Sequence, residues 1–155
     1  MKVRLGEIQD AEAITAVINA AFRLAESFLM DRDRIDVDSV QSLIQAGRFL
    51  VADHAGVLVG CVYVELKGER AYLGLLSVHP ERQKTGLGST LMNAAEAYCA
   101  KAGCRFMDLR IVNLRQELPD FYRRRGYVET GVEPFTPGLT PKLPCHFVKI
   151  SKSLR

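Results

Sequence analysis

Residues 76–89 read LSVHPERQKTGLGS, in which an apolar segment leads through a polar loop into a helical pattern. The apolar spacing predicts a long helix over 86–102, with Gly86 and Gly88 at its start. Glycines let a ligand approach the backbone closely, and the first helical turn has unpaired N–H groups at the positive end of the helix dipole. This stretch therefore predicts an anion site suited to phosphate or pyrophosphate, to which Arg82 and Lys84 would add charge.

Two familiar phosphate-binding loops do not fit this stretch. The pattern G-x-x-x-x-G-K-[ST] of a P-loop is absent, and Leu91 stands where the dinucleotide pattern G-x-G-x-x-G needs its third glycine. The pattern that remains is Q-x-x-G-x-G over residues 83–88, directly after a strand that ends in L-S-V.

The rest of the chain alternates between strand-like and helix-like segments. Helices are predicted from a cap at Asp10 to Phe22, over 37–46 with Asp36 as cap, over 86–102 and over 118–125. Strands are predicted over 2–5, 49–52, 57–65, 71–78, 105–112, 127–135 and 146–150. The order βααβββαβαββ predicts an α+β fold in which helices pack on the faces of a sheet. Residues 23–34 are expected to form a loop or a broken helix, and 134–144 a long irregular connection.

A second motif supports one interpretation of the loop. Residues 121–127 read FYRRRGY, and together with the Q-x-x-G-x-G segment they resemble the GCN5-related N-acetyltransferase (GNAT) superfamily. That superfamily has (Q/R)-x-x-G-x-(G/A) between its fourth strand and central helix, and F-Y-x-x-x-G-F/Y downstream. The resemblance extends over 1–155 as a single domain. It implies a mixed, mostly antiparallel sheet with helices on both faces, splayed between strands 4 and 5.

The resemblance implies acetyl-CoA as cosubstrate, wedged between those two strands. Main-chain groups of Leu76 and Val78 would pair with its pantetheine arm, and the amides from Gln83 to Ser89 would hold its pyrophosphate. Asn113 matches a position near the pantetheine in the family. The residues so implied are Leu76, Ser77, Val78, Gln83, Lys84, Thr85, Gly86, Leu87, Gly88, Ser89, Asn113 and Tyr122.

The resemblance also implies a reaction in which a primary amine attacks the thioester directly, in a ternary complex. Tyr122 matches the family's tyrosine and would donate a proton to the departing thiolate, since a phenol with a pKa of about 10 is protonated at neutral pH. The amine needs a base, for which Glu65 is the preferred candidate and Glu26 and His79 are alternatives. One of Arg123, Arg124 and Arg125 could reach the 3′-phosphate or simply form a solvated helix face.

Two other classes of function are weighed against this one. A non-catalytic acyl-CoA-binding sensor or interaction module would bind the ligand without turnover. A nucleic-acid-binding domain is disfavoured, because 21 Lys and Arg against 18 Asp and Glu leave a formal charge of only +3. The acceptor could be a small molecule or a peptide amine, and a homodimer is compatible with the sequence.

Composition also argues against a metal site and a membrane partner. The three histidines are scattered and the four cysteines show no C-x-x-C spacing, so no metal is expected. The N-terminus lacks an apolar signal segment, and no apolar run approaches the roughly 18 residues of a membrane span. These features predict a cytoplasmic protein with reduced cysteines.

Overall fold

Seven strands and four helices follow one another in the predicted order in the computed structural model, which describes all residues 1–155. They are β1 (Lys2–Leu5), α1 (Ala11–Glu26), α2 (Val37–Ala46), β2 (Arg48–His54), β3 (Val57–Lys67), β4 (Arg70–Val78), α3 (Leu87–Lys101), β5 (Phe106–Val112), α4 (Leu118–Arg124), β6 (Val128–Pro134) and β7 (His146–Ser153).

The strands form one mixed sheet in the order β1-β2-β3-β4-β5-β7-β6. Every neighbouring pair is antiparallel except β4 and β5, which run parallel because α3 crosses between them. The predicted α+β class and mostly antiparallel sheet are therefore confirmed.

Helices cover both faces of the sheet, as β2 illustrates. Successive side chains of β2 point to opposite faces of the sheet, so Phe49 and Val51 pack with α1 and α2, whereas Leu50 and Ala52 pack with α3. All four are buried. Full burial of each large apolar side chain stabilises the fold by roughly 1.5–3 kcal/mol. Because the central strands are buried on both faces, their sequences are apolar almost without interruption.

The sheet opens between β4 and β5, as the resemblance implied. The two strands pair over only three positions, Arg70–Tyr72 with Phe106–Asp108, although β4 continues to Val78 and β5 to Val112. A bulge in β4 accompanies the opening, and Leu75 within it has a positive φ of 56°. The carboxyl ends of both strands therefore lie apart and leave a cleft between them.

One local prediction needs correction and two are met in part. Asp10 stands at the N-cap position of α1 as predicted, but its side chain makes no cap hydrogen bond, because its carboxylate accepts from the Glu7 N–H and from Arg4. In the segment 23–34, α1 continues to Glu26 and the rest is irregular. A second 3₁₀ turn, Pro80–Arg82, follows β4 where a plain loop was expected. By contrast, Asp36 caps α2 as predicted, accepting from the Ser39 N–H at 2.8 Å.

None of the four helices combines the length and the apolar character that a membrane crossing requires.

Candidate active site

A cavity of about 920 Å³ occupies the cleft between β4 and β5. One end reaches the loop before α3, and the other is walled by α1 and by residues near Thr136. Eight of the residues predicted from the sequence line it, namely Leu76, Val78, Gln83, Lys84, Gly86, Gly88, Ser89 and Tyr122. The fold thus brings together most of a site whose members are spread over some 45 positions of the chain.

At one end, the loop before α3 forms an open cradle. Lys84 and Gly86 both have a positive φ, of 65° and 85°, and α3 begins at Leu87 without a side-chain cap. A β-carbon at Gly86 would meet no atom within 4 Å, and one at Gly88 would meet only Phe121 Cζ, at 3.9 Å. The first turn of α3 therefore has no side-chain cap, and the space beside its two glycines is open, an arrangement suited to binding phosphate groups.

Several side chains of this loop stabilise the loop itself. His79 Nδ1 accepts from the Glu81 N–H at 3.1 Å, and Gln83 Nε2 donates to the Val78 carbonyl at 3.2 Å. Thr85 donates its hydroxyl hydrogen to the Arg82 carbonyl. These contacts hold the backbone of the cradle in place and leave the Lys84 ammonium as a charge that can reach an anion.

In the middle of the cavity, one edge of β4 has no strand beside it. Beyond Tyr72, the edge of β4 that faces β5 has no pairing partner, and Leu76 and Val78 line the cavity there. An unpaired strand edge presents main-chain donors and acceptors that an extended ligand can use as a further strand would.

Tyr122 approaches the cavity from α4. Its side chain is buried, with 5% exposed, and its ring packs edge-on against Phe121 and Tyr127 at centroid distances of 5.0 and 5.6 Å. Tyr122 lines the cavity, and its hydroxyl makes no hydrogen bond with the protein. Burial raises its pKa to about 12, although the charges of Arg115 and Arg125 act in the opposite direction. The hydroxyl therefore remains protonated and available to a ligand.

The far end of the cavity is rich in charge. Glu26 Oε2 accepts from Arg115 Nη1 at 2.8 Å, and the two side chains are only 13% and 14% exposed. Arg110 projects from β5 with its guanidinium 4.3 Å from the centre of the Phe147 ring, and pairs with Glu133 at 2.8 Å. This end therefore differs from the cradle, because it offers both a carboxylate and several guanidinium groups to a second ligand.

Other predicted residues lie outside the cavity. The Glu65 carboxylate accepts from the Tyr63 hydroxyl at 2.6 Å and is one strand away from the opening, on β3. Asn113 Oδ1 accepts from the His146 N–H at 2.9 Å, so its carboxamide joins the ends of β5 and β7. Ser77, Thr85, Leu87 and His79 do not line the cavity either.

The three consecutive arginines at the end of α4 do not line the cavity either. Arg123 pairs with Asp120, Arg125 pairs with Glu96 and Asn93, and Arg124 is exposed.

Sequence reasoning missed Tyr72, Arg110 and Arg115, which all line the cavity. Arg110 could have been suspected from the sequence, since it is the only basic residue in the strand FMDLRIV of β5. Nothing in the sequence indicates Tyr72 or Arg115, because their approach to the cavity depends on the splay of β4 and on the turn after β5.

A family model described as the acetyltransferase (GNAT) family matches residues 12–127. Solved structures with the same fold include the aminoglycoside 6′-N-acetyltransferase complexed with coenzyme A (TM-score 0.80, 17% identity, covering 100% of this chain and 98% of the other). The ribosomal-protein-alanine N-acetyltransferase from Brucella melitensis is similar (TM-score 0.81, 16% identity, 99% of each chain). So is yncA from Salmonella typhimurium with its cofactor acetyl-CoA (TM-score 0.80, 20% identity, 100% and 94%).

The structures share the fold over the full length of this chain, and the family model covers both the loop before α3 and the FYRRRGY segment. The chain therefore belongs to the acetyltransferase (GNAT) family.

Proposed function

We propose that this protein transfers the acetyl group of acetyl-CoA to a primary amine, by direct attack in a ternary complex, with residues 1–155 acting as one domain. The observation that supports this most strongly is a single cavity that connects the cradle at 83–89 with the Tyr122 hydroxyl. Family membership supports acetyl transfer in general. The amine acceptor, the direct attack and the roles of the residues are proposed from the cavity.

The cavity fits acetyl-CoA in its chemistry. The open backbone at Gly86 and Gly88, with Lys84 beside it, suits the pyrophosphate. The unpaired edge of β4 at Leu76 and Val78 suits the amide-containing pantetheine arm, which would bind as an added strand. We assign no contact to Asn113, whose carboxamide oxygen already accepts from the His146 N–H.

Bound acetyl-CoA supplies an activated thioester for the amine to attack. Main-chain N–H groups of the β4 edge would stabilise the charge that develops on the thioester oxygen. Tyr122 would donate a hydrogen bond, and then its proton, to the sulfur that departs, a role that its protonated and unpartnered hydroxyl permits. A general acid of this kind contributes about 10²- to 10⁴-fold to a rate.

The amine must lose a proton before it attacks, because the pKa of an alkylammonium is about 10.4. Of the three base candidates, only Glu26 lines the cavity, whereas Glu65 and His79 make local contacts outside it. We assign proton removal to Glu26, either by direct contact or through a water molecule. The ion pair with Arg115, at 2.8 Å, fixes the position of this carboxylate.

Release of CoA thiol in the presence of acetyl-CoA and single primary amines tests the proposal. The assay uses a thiol reagent, together with mass spectrometry of the amine product, on a panel that spans amino acids, polyamines, aminoglycosides and short peptides. We expect release that depends on one class of amine and matches the acetylated product in amount. Binding of acetyl-CoA without release by any amine would identify a non-catalytic module instead, and absence of binding would refute both.

A further inference from the structure

Two arginines at the far end of the cavity have no ion-pair partner in the protein. Arg32 and Arg34 both line the cavity, and neither guanidinium takes part in a hydrogen bond or ion pair with the chain. Arg34 also lies over the Phe22 ring of the cavity wall, 5.4 Å from the ring centre. Arg110 and Arg115 nearby are paired with Glu133 and Glu26, each at 2.8 Å, so Arg34 is a cation held against the wall and free to bind a ligand.

Carboxylates lie near Arg34, but each of them has another direct partner. The surrounding protein lowers the pKa of Arg34 by displacing water; Glu26 and Tyr72 act in the opposite direction, and Arg110 lowers it further. Glu26 forms its ion pair with Arg115, and Glu133 with Arg110, each at 2.8 Å. An anionic group of a ligand can therefore make the direct contact with Arg34 that no carboxylate of the protein makes.

The walls beside these arginines are apolar. Phe22, Met30, Phe135 and Phe147 line the same end of the cavity, and Phe135 stacks on Phe147 with a centroid distance of 5.3 Å. A ligand that filled this end would therefore place an apolar group against the aromatic rings and an anionic group against the guanidinium groups.

We propose that the acceptor is a small primary amine that carries a carboxylate and an apolar side group, and that Arg34 recognises the carboxylate. The inference rests on the proposed function and names its substrate class. A guanidinium group matches a carboxylate with two parallel N–H donors, which adds both strength and orientation. An amine without the carboxylate would leave the Arg34 guanidinium without a direct partner.

The test compares three apolar amino acids, leucine, methionine and phenylalanine, with their amides, which keep the amine and side group and lack the carboxylate. CoA release gives kcat/KM for each. We expect the amino acids to be preferred at least tenfold. In Arg34→Gln, kcat/KM for the amino acids should fall at least tenfold, while kcat/KM for the amides stays within twofold. Because the ratio is compared between enzymes, the difference in amine basicity cancels.

Arg105→Gln is the matched control, since Arg105 is an exposed arginine that pairs with Glu69 and does not line the cavity. It should leave both values within twofold. An unchanged ratio in Arg34→Gln, equal use of acids and amides, or no release with any of the three amino acids would each overturn this inference. Calorimetric acetyl-CoA binding separates the failures, because retained binding with release from other amines leaves the proposed function standing.

Discussion

Arg70 on β4 and Asp108 on β5 form a two-pronged ion pair, with the arginine Nε and Nη2 each 2.7 Å from a carboxylate oxygen. The pair spans the only segment in which these two strands are hydrogen-bonded, just before they separate. Ser151 of β7 donates to the same carboxylate. This cluster therefore fastens the closed end of the cleft in which the candidate site lies.

The contribution of this ion pair to stability should depend on pH. Arg70, more than Ser151, holds the pKa of Asp108 below its usual range. Asp108 therefore stabilises the fold at pH values above about 4, and the effect is lost as the pH falls through the lowered pKa. Since the side chains are 49% and 34% exposed, Asp108→Asn should cost no more than about 1 kcal/mol at pH 7.

Urea unfolding of the wild type and Asp108→Asn at pH 7 and at pH 3 checks this dependence. The difference in unfolding free energy should be present at pH 7 and shrink at pH 3. Asp120→Asn removes a more exposed pair, with Arg123, and should have little effect at either pH. An equal difference at both values would show that Asp108 acts through something other than its charge.

Tyr122→Phe should lower kcat about 10²-fold or more without weakening acetyl-CoA binding, because it removes only the proposed proton donor. Stability should hardly change, since the hydroxyl makes no hydrogen bond with the protein. Tyr127→Phe is the matched control: it removes a hydrogen bond to Glu96 of 2.9 Å, so it should cost about 1 kcal/mol and leave kcat unaffected. Full activity in Tyr122→Phe would remove the acid role from this residue.

The pH profile of kcat/KM provides a separate test of the same hydroxyl. Because the pKa of Tyr122 is raised to about 12, the group keeps its proton to a higher pH than an ordinary phenol. The rate should therefore rise with pH as the amine deprotonates and show no fall up to about pH 10.5. A falling limb with a midpoint near pH 10, absent in Tyr122→Phe, would contradict this account.

Glu26→Gln should impair both stability and activity. The change leaves the Arg115 guanidinium, which is 14% exposed, with only its contact to Glu117, so we expect a loss of about 1–3 kcal/mol in unfolding free energy. It also removes the proposed base, and kcat/KM should fall at least tenfold at a temperature where the variant is folded. Glu69→Gln breaks an exposed pair and should change stability by less than about 0.5 kcal/mol. Undiminished turnover in folded Glu26→Gln would exclude the base assignment.

The fold was largely predictable because its signals are local. Alternation in the strands, the helical spacing after Gly86 and the cap at Asp36 each depend on neighbouring residues, and the resulting order of elements is confirmed. The start of α1 at Asp10 is confirmed, but its carboxylate does not cap the helix, since Arg4 and the Glu7 N–H bind it instead. The C-terminal end of α1 lies four residues beyond the predicted one, because no glycine or proline follows Glu26 to mark it. The additional turn lines the cavity.

The candidate site was predictable only where one segment supplies it. The loop from Gln83 to Ser89 is contiguous, so its pattern could be read directly. The Glu26–Arg115 pair joins residues 89 positions apart, so no local sequence pattern could predict it. Glu65 looked suitable at a strand end, yet it lies on β3, one strand away from the opening between β4 and β5.

Calorimetric titration with acetyl-CoA tests the central claim most directly, namely that the cleft beside the α3 N-terminus holds this cosubstrate. We predict one-to-one binding to the wild type and at least tenfold weaker binding to Gly88→Leu, whose side chain would enter the open cradle. Ala100→Leu, on the exposed face of the same helix, should bind as the wild type does. Absence of acetyl-CoA binding to the wild type, or equal binding to Gly88→Leu, would contradict the account.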